Sequence, residues 1–175
     1  MNADQLRELI RDVPDFPRAG IGFKDITPVL ADAKALSAVV ELMTDPFRGD
    51  GVVAVAGIEA RGFVLATPIA TSLKTGFIPL RKPGKLPYET QSEPYSLEYG
   101  ADSLEVHVDA VSPGDRVLLV DDVIATGGTA GAAIKLLQAL GAEVVGLTLF
   151  IELAFLNGSD LLDASVPIHS IVTYD

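Results

Sequence analysis

The sequence predicts an α/β fold, a central and mostly parallel sheet flanked by helices, with an N-terminal hood segment and a flexible antiparallel flap. Two observations carry the sheet. Short apolar runs stand at residues 52–56, 77–80, 117–120 and 144–151, and the run at 117–120 is rich in β-branched residues, as expected for a strand buried on both faces. Between them lie stretches of helical periodicity, and strand-helix-strand repeats fold with right-handed crossovers. A third observation carries the flap: residues 103–108 alternate, placing Leu104, Val106 and Val108 on one face, the pattern of an antiparallel strand with one wet side.

Taken in order, Leu6, Leu9, Ile10 and Val13 are spaced for a helix that Asn2 starts, with Gln5 three residues later as its capping partner. Residues 13–27 hold Pro14, Pro17, Gly20 and Gly22 and predict an ordered loop. Asp32 is placed to cap a second helix whose inner face is Leu36, Val39, Val40 and Met43. A strand at 52–56, a helix at 63–73 disturbed by Pro68, and a strand at 77–80 follow. Residues 95–99 then pair with 103–108 as the flap hairpin. After the strand at 117–120, Ile134, Leu137 and Leu140 recur at helical spacing and Gly141 stops the helix. Strands at 144–151 and 166–173 complete the sheet. No repeat, low-complexity tract or interdomain linker interrupts this single unit of residues 1–175, in which 1–30 form the N-terminal helix and hood and 82–109 the flap.

Composition bounds the function. A chain of 175 residues with 49% hydrophobic content is long enough for one well-filled core. It has no cysteine, so disulfides and thiolate catalysis are excluded and a reducing compartment suits it. The N-terminus carries Asp4, Arg7, Glu8, Arg11 and Asp12, unlike the apolar core of a signal peptide, and no apolar run reaches bilayer length. These features predict a cytoplasmic protein. A net charge of −11 argues against nucleic-acid or anionic-membrane partners, both of which need a basic face.

The most informative stretch is Arg116-Val117-Leu118-Leu119-Val120-Asp121-Asp122-Val123-Ile124-Ala125-Thr126-Gly127-Gly128-Thr129. It runs from an apolar strand through two carboxylates into a loop of small residues, then a helix. The carboxyl edge of such a strand is where open α/β sheets bind ligands. In the loop, Ala125, Thr126, Gly127, Gly128 and Thr129 let main-chain N–H groups approach an anion at a helix N-terminus. Carboxylates repel phosphate, so Asp121 and Asp122 should face hydroxyls or a hydrated cation while the loop takes the phosphate. Adjacent hydroxyls of a phosphorylated ribose fit that division. The string lacks both the Walker spacing and the dinucleotide glycine fingerprint. Such an acidic chain needs a local cation cluster to hold a polyanion, and Arg81, Lys82 and Lys85 supply one after the run at 77–80. His107 and His169 have no nearby metal-ligating partner and read as structural.

This string resembles the phosphoribosyl pyrophosphate signature of type I phosphoribosyltransferases. Phe16-Pro17-Arg18-Ala19-Gly20-Ile21-Gly22-Phe23-Lys24-Asp25-Ile26-Thr27-Pro28-Val29-Leu30, Gly57-Ile58-Glu59-Ala60-Arg61-Gly62-Phe63, Arg81-Lys82-Pro83-Gly84-Lys85-Leu86-Pro87 and Tyr95-Ser96-Leu97-Glu98-Tyr99-Gly100 are similar, in the same order, to segments of the adenine phosphoribosyltransferases. The resemblance spans nearly the whole chain. It implies transfer of ribose 5-phosphate from phosphoribosyl pyrophosphate (PRPP) to adenine, giving AMP and pyrophosphate in purine salvage, with magnesium as cofactor and a homodimer as assembly.

The resemblance also assigns roles. Asp121 and Asp122 would hold the ribose, and Ala125, Thr126, Gly127, Gly128 and Thr129 the 5-phosphate. Arg61, Arg81, Lys82 and Lys85 would hold pyrophosphate, with Lys85 the candidate to approach the other subunit's site. Ile21, Gly22, Phe23 and Lys24 would line the adenine site, with Phe23 stacked on the ring. Glu98 and Arg61 would be catalytic, Glu98 managing a proton near purine N7, and Tyr99 would close with the flap. Magnesium would be held mainly by substrate, through water to Asp121 or Asp122. A cis non-proline peptide is expected between Glu59 and Arg61. The family often has Asp-Ser where this chain has Glu59-Ala60, and arginine at the position of Lys24; lysine loses the planar two-pronged geometry. Two other readings stand beside this one: a phosphoribosyltransferase for xanthine or hypoxanthine, and a noncatalytic PRPP-sensing regulator.

Overall fold

The computed structural model describes residues 1–97 and 100–175. Its centre is a five-stranded, all-parallel sheet in the order β4-β3-β7-β8-β9. These strands are β3 (Ala54–Ile58), β4 (Gly76–Leu80), β7 (Arg116–Ile124), β8 (Glu143–Leu153) and β9 (Ile168–Tyr174). Each is apolar on both faces where it crosses the core, so the sheet divides two hydrophobic clusters. One, against α5 (Gly128–Ala139), holds Leu119, Ile134, Leu137 and Leu149; the other, against α3 (Ala33–Thr44) and α4 (Arg61–Leu73), holds Val39, Met43, Leu65, Leu118 and Phe150. Asp32 caps α3 as expected, its carboxylate accepting from the N–H groups of Lys34 and Ala35. Pro68 sits inside α4 without ending it.

At the N-terminus the capping box of Asn2 and Gln5 is present, but α1 covers only Ala3–Arg7. Residue 13 therefore departs from the helix expected through it. Arg11–Val13 form β1, which pairs antiparallel with β2 (Phe23–Asp25) inside the stretch expected to be loop. A short helix α2 (Thr27–Ala31), also unforeseen, follows. Helical spacing at Leu6, Leu9 and Ile10 reflects burial in the cluster beneath α3; Leu6 and Ile10 are buried there without the helix continuing.

An antiparallel hairpin is present, but not in the expected pairing: β5 (Thr90–Leu97) pairs with β6 (Gly100–His107), so that 103–107 lie opposite 90–94 and residues 95–97 opposite 100–102. Its base is tied to the sheet by a two-way main-chain bridge between Arg81 and Glu105. Leu104, Val106 and Tyr95 are buried in the cluster that includes α5, whereas Val108, at the end of the alternation, is exposed. Glu98 and Tyr99 lie outside the described residues.

Candidate active site

Strand order reverses between β3 and β7, because the chain moves outward to β4 on one side and to β8 and β9 on the other. At such a switch point the loops leaving the two central strands diverge and open a crevice at the carboxyl edge. The loop after β3 contains a cis peptide between Glu59 and Ala60, within the expected interval, and leads straight into α4 at Arg61. The loop after β7 leads into α5 through Gly127, which has φ +79° and is the kind of position glycine fills without steric cost. Two helix N-termini thus flank one crevice.

The crevice encloses about 380 Å³. Its walls include Arg61, Lys82, Asp121, Asp122 and the run Ala125, Thr126, Gly127, Gly128, Thr129, all expected from the sequence, together with Glu59 and Ala60. β7 does not end before its acids: Asp121 pairs with Leu149 and Val123 with Ile151, so the carboxylates project from a strand rather than from a loop. A Cβ built on Gly62 would stand 2.9 Å from Asp121 Oδ1, so glycine there lets α4 begin directly over the acid. Burial, and then the neighbouring Asp122 charge, push the Asp121 carboxyl well above the usual carboxylate range. Asp122 is almost fully enclosed and its Oδ2 pairs with Arg61 Nε.

A second cavity of about 690 Å³ adjoins the first and shares Arg61, Val123, Ala125 and Thr126 with it. Ile21, Gly22, Phe23 and Lys24 from the N-terminal region line it together with Leu153, Phe155, Leu156 and Tyr174 from the C-terminal region. Phe23 meets Phe16 edge to face at 5.1 Å, and the Arg61 guanidinium lies 5.0 Å from the Phe23 ring centroid. Arg61 therefore touches an aromatic ring of the apolar cavity and an acid of the polar one. Such a pair of spaces suits a ligand with a flat ring at one end and a phosphorylated sugar at the other.

Residues 27–161 match the family model of the phosphoribosyl transferase domain. Adenine phosphoribosyltransferase of Anaeromyxobacter dehalogenans is 54% identical over 171 residues, 98% of this chain and 99% of that one. The chain belongs to the adenine phosphoribosyltransferase family. The crystal structure of the Rhodothermus marinus member, 51% identical, superposes with a TM-score of 0.95 over 98% of both chains. That of the Saccharomyces cerevisiae member, complexed with D-2,5-dideoxy-2,5-imino-altritol 1,6-bisphosphate and adenine, is 34% identical, with a TM-score of 0.91 over 97% of both chains. The type I phosphoribosyltransferase fold expected from the sequence is the fold of this family member.

The cation cluster at the end of β4 divides in three. The Lys82 ammonium lines the polar cavity, where it pairs with Asp102 and donates to the Tyr95 hydroxyl, both on the hairpin. Burial works against the Lys82 charge, but these two partners outweigh it and hold its pKa above the usual lysine value. Arg81 is not among the residues lining either cavity: its Nε donates to Glu59 Oε2 at 3.0 Å and its Nη1 to the Lys85 carbonyl at 3.1 Å. Lys85 is exposed and is not among the residues lining either cavity. Glu59, whose side-chain role was open, also accepts the Lys82 N–H at 3.0 Å. Burial of Glu59 opposes its charge, yet the Lys82 N–H and Arg81 hold its pKa below the ordinary glutamate value. This carboxylate ties the loop after β3 to the end of β4.

In this family member Lys24 points its ammonium to Asp12 and over the Tyr174 ring, 3.9 Å from the centroid. Sequence reading missed the C-terminal part of the apolar cavity's lining. Phe155 and Leu156 are exposed apolar residues directly after a buried strand, and that apolar run outlasting its strand was the available signal. Among the described residues no cluster of three or more His, Asp or Glu side chains could hold a metal by itself, and no helix is long and apolar enough to cross a membrane.

Proposed function

We propose that this chain transfers the 5-phosphoribosyl group of PRPP to adenine, yielding AMP and pyrophosphate for purine salvage. The observation that carries the reading is the junction of the two cavities at Arg61, Val123, Ala125 and Thr126, which lets one nucleotide span a ring site and a phosphate loop. Ile21, Gly22, Phe23 and Lys24 take the adenine, with Phe23 stacked on it. Main-chain N–H groups of Ala125, Thr126, Gly127, Gly128 and Thr129 take the 5-phosphate at the start of α5. Asp121 and Asp122 fix the ribose hydroxyls.

The C1–pyrophosphate bond breaks with its electron pair leaving on pyrophosphate, and the C1–N9 bond forms as adenine gives up one proton. Charge grows positive on the sugar and negative on the leaving group, so catalysis is mostly positioning and charge stabilisation. Arg61, Lys82, Arg81 and Lys85 offset the leaving-group charge, with Lys85 reaching the site of the other subunit in a homodimer. Arg61 and Asp122 must loosen their mutual pair to serve pyrophosphate and ribose together. Glu98 manages the proton near N7. The flap of residues 82–109, with Tyr99, excludes water over the site, and residues 1–30 form its hood. The donor set fits magnesium: two carboxylates at the crevice floor, with too few ligands for a protein-only cage, suit an ion that keeps its waters and leans on substrate phosphates. Bound there, magnesium supplies neutralisation of the pyrophosphate oxygens. A cysteine-free chain works unchanged in a reducing compartment, and a cytoplasmic location is part of this reading.

Release of pyrophosphate on mixing PRPP with a panel of adenine, hypoxanthine and xanthine, with and without magnesium, tests it. Magnesium-dependent release with adenine alone is expected. Preference for another base overturns the adenine assignment, and no turnover with any base overturns the enzyme.

A further inference from the structure

We propose that Gly158 is a positioning residue for the 5-phosphate loop, a claim that rests on the function proposed above. After β8 the chain makes a 3-10 turn at Ala154–Leu156, passes Asn157, and reaches a second turn at Ser159–Leu161. Gly158 stands between them with φ −65° and ψ −33°, values any residue adopts. Backbone conformation therefore gives no reason for glycine; space does. A Cβ built there would lie 2.7 Å from Gly127 N and 2.8 Å from the Ala125 carbonyl carbon, and nearer still to the Ala125 oxygen. The relation is mutual: a Cβ on Gly127 would lie 3.0 Å from the Gly158 carbonyl carbon and 3.2 Å from its Cα. Bare main chain thus meets bare main chain, and the buried Gly158 braces the phosphate loop from behind.

The brace is itself held. The Ser159 hydroxyl bonds to the Glu152 carboxylate near the end of β8, and Glu152 stands opposite Ile124, the last residue of β7 before the loop. The same short segment carries Phe155 and Leu156 into the wall of the apolar cavity. One piece of backbone therefore sets both the base wall and the rear of the phosphate loop. A methyl group at Gly158 must push Ala125–Gly127 forward by on the order of 1 Å to reach van der Waals distance. A shift of that size spoils a set of N–H groups aimed at one phosphate, whereas the ring site shares only Ala125 and Thr126 with the displaced segment and keeps the rest of its lining, Ile21, Gly22 and Phe23 included.

The test compares wild type, Gly158→Ala and Ser159→Ala by calorimetric titration with AMP, which carries the phosphate, and with adenine, which does not. Steady-state KM and kcat are measured alongside. For Gly158→Ala the expected result is AMP binding weakened about tenfold or more with adenine binding within about twofold of wild type, and a matching rise in KM for PRPP. Ser159→Ala, which loosens the brace without a clash, should weaken AMP by about threefold and leave adenine alone. It carries the test if Gly158→Ala does not fold. Unchanged AMP affinity in the folded variants, or equal loss of AMP and adenine, overturns the proposal. Wild type without turnover would instead refute the proposed function, so the two failures are told apart.

Discussion

Arg61 and Asp122, 61 positions apart in the chain, form an ion pair across the switch point of the sheet, joining the start of α4 to the end of β7. The Asp122 side chain is 6% exposed and the Arg61 side chain 46%, so the acid depends on the arginine more than the reverse. A carboxylate this enclosed, left alone, loses its water without a replacement. Arg61→Ala is expected to destabilise the protein by about 1–3 kcal/mol in urea unfolding and to reduce kcat/KM for PRPP at least about a hundredfold. Arg61→Lys should recover part of the stability, since it restores charge, and less of the activity, since it lacks the planar fork.

Asp121 gives a pH signature. Its folded-state pKa is raised by burial and by Asp122, so the folded protein resists ionising it while the unfolded chain does not. Below the unfolded value both states are protonated and no penalty exists; as pH rises through and above that value, stability is lost until the folded carboxyl ionises too. Asp121→Asn should therefore raise the melting temperature by a few degrees at neutral pH in the absence of ligand, with the gain vanishing below about pH 4. Turnover should fall steeply in the same variant. A melting temperature unchanged at neutral pH would refute the account of that acid.

Glu59 has the opposite sign. Lys82 N–H and Arg81 hold its pKa low, so its contribution is present above the ordinary glutamate pKa and is lost as pH falls through the lowered folded value. Removing it strands the Lys82 N–H and Arg81. Glu59→Ala should cost about 1–2 kcal/mol at neutral pH and progressively less in acid, read as a Tm difference across a pH series. Glu59→Gln should retain the Lys82 bond and lie between the two.

Phe23 and Lys85 separate the ends of the proposed substrate pair. Phe23→Ala should raise KM for adenine about tenfold, the worth of one stacked ring, with KM for PRPP little changed. Lys85→Ala should weaken inhibition by pyrophosphate more than binding of AMP. Equal loss of both in Lys85→Ala would count against its role at the leaving group.

Leu104 is the test of how the hairpin is held. It has no exposure and sits in the cluster with Ile134 and Leu137 of α5. Leu104→Ala should destabilise the protein by about 2–5 kcal/mol in chemical unfolding. A cost near zero would mean that the base of the hairpin is not anchored in the core.

Much of this was legible along the chain. The apolar runs marked every strand of the parallel sheet, and Asn2, Asp32 and Gly141 marked helix ends, because caps and buried strands are local matters of backbone hydrogen bonding and hydrophobic period. Boundaries failed where a local signal had two causes. β7 looked as though it stopped at Val120, since two acids end an apolar run, yet the ladder to β8 continues through them. Val13 kept helical spacing with Leu6 but joined β1, because pairing with Phe23 in β2 satisfied its main chain instead.

The sequence by itself determined the alternation of strands and helices, the family, and the order of acids, small residues and helix along one edge of the sheet, all of which depend on neighbours within a few residues. Only the tertiary structure decided which charges remain available. Arg81 went to Glu59, Lys82 to Asp102, Lys24 to Asp12 and Arg61 to Asp122, partners that no spacing announces. It also brought Gly158 against Gly127, and Phe155 into the same cavity lining as Phe23. Side-chain charge and shape act through space at a few ångströms, and those distances exist only once the sheet has set its loops side by side.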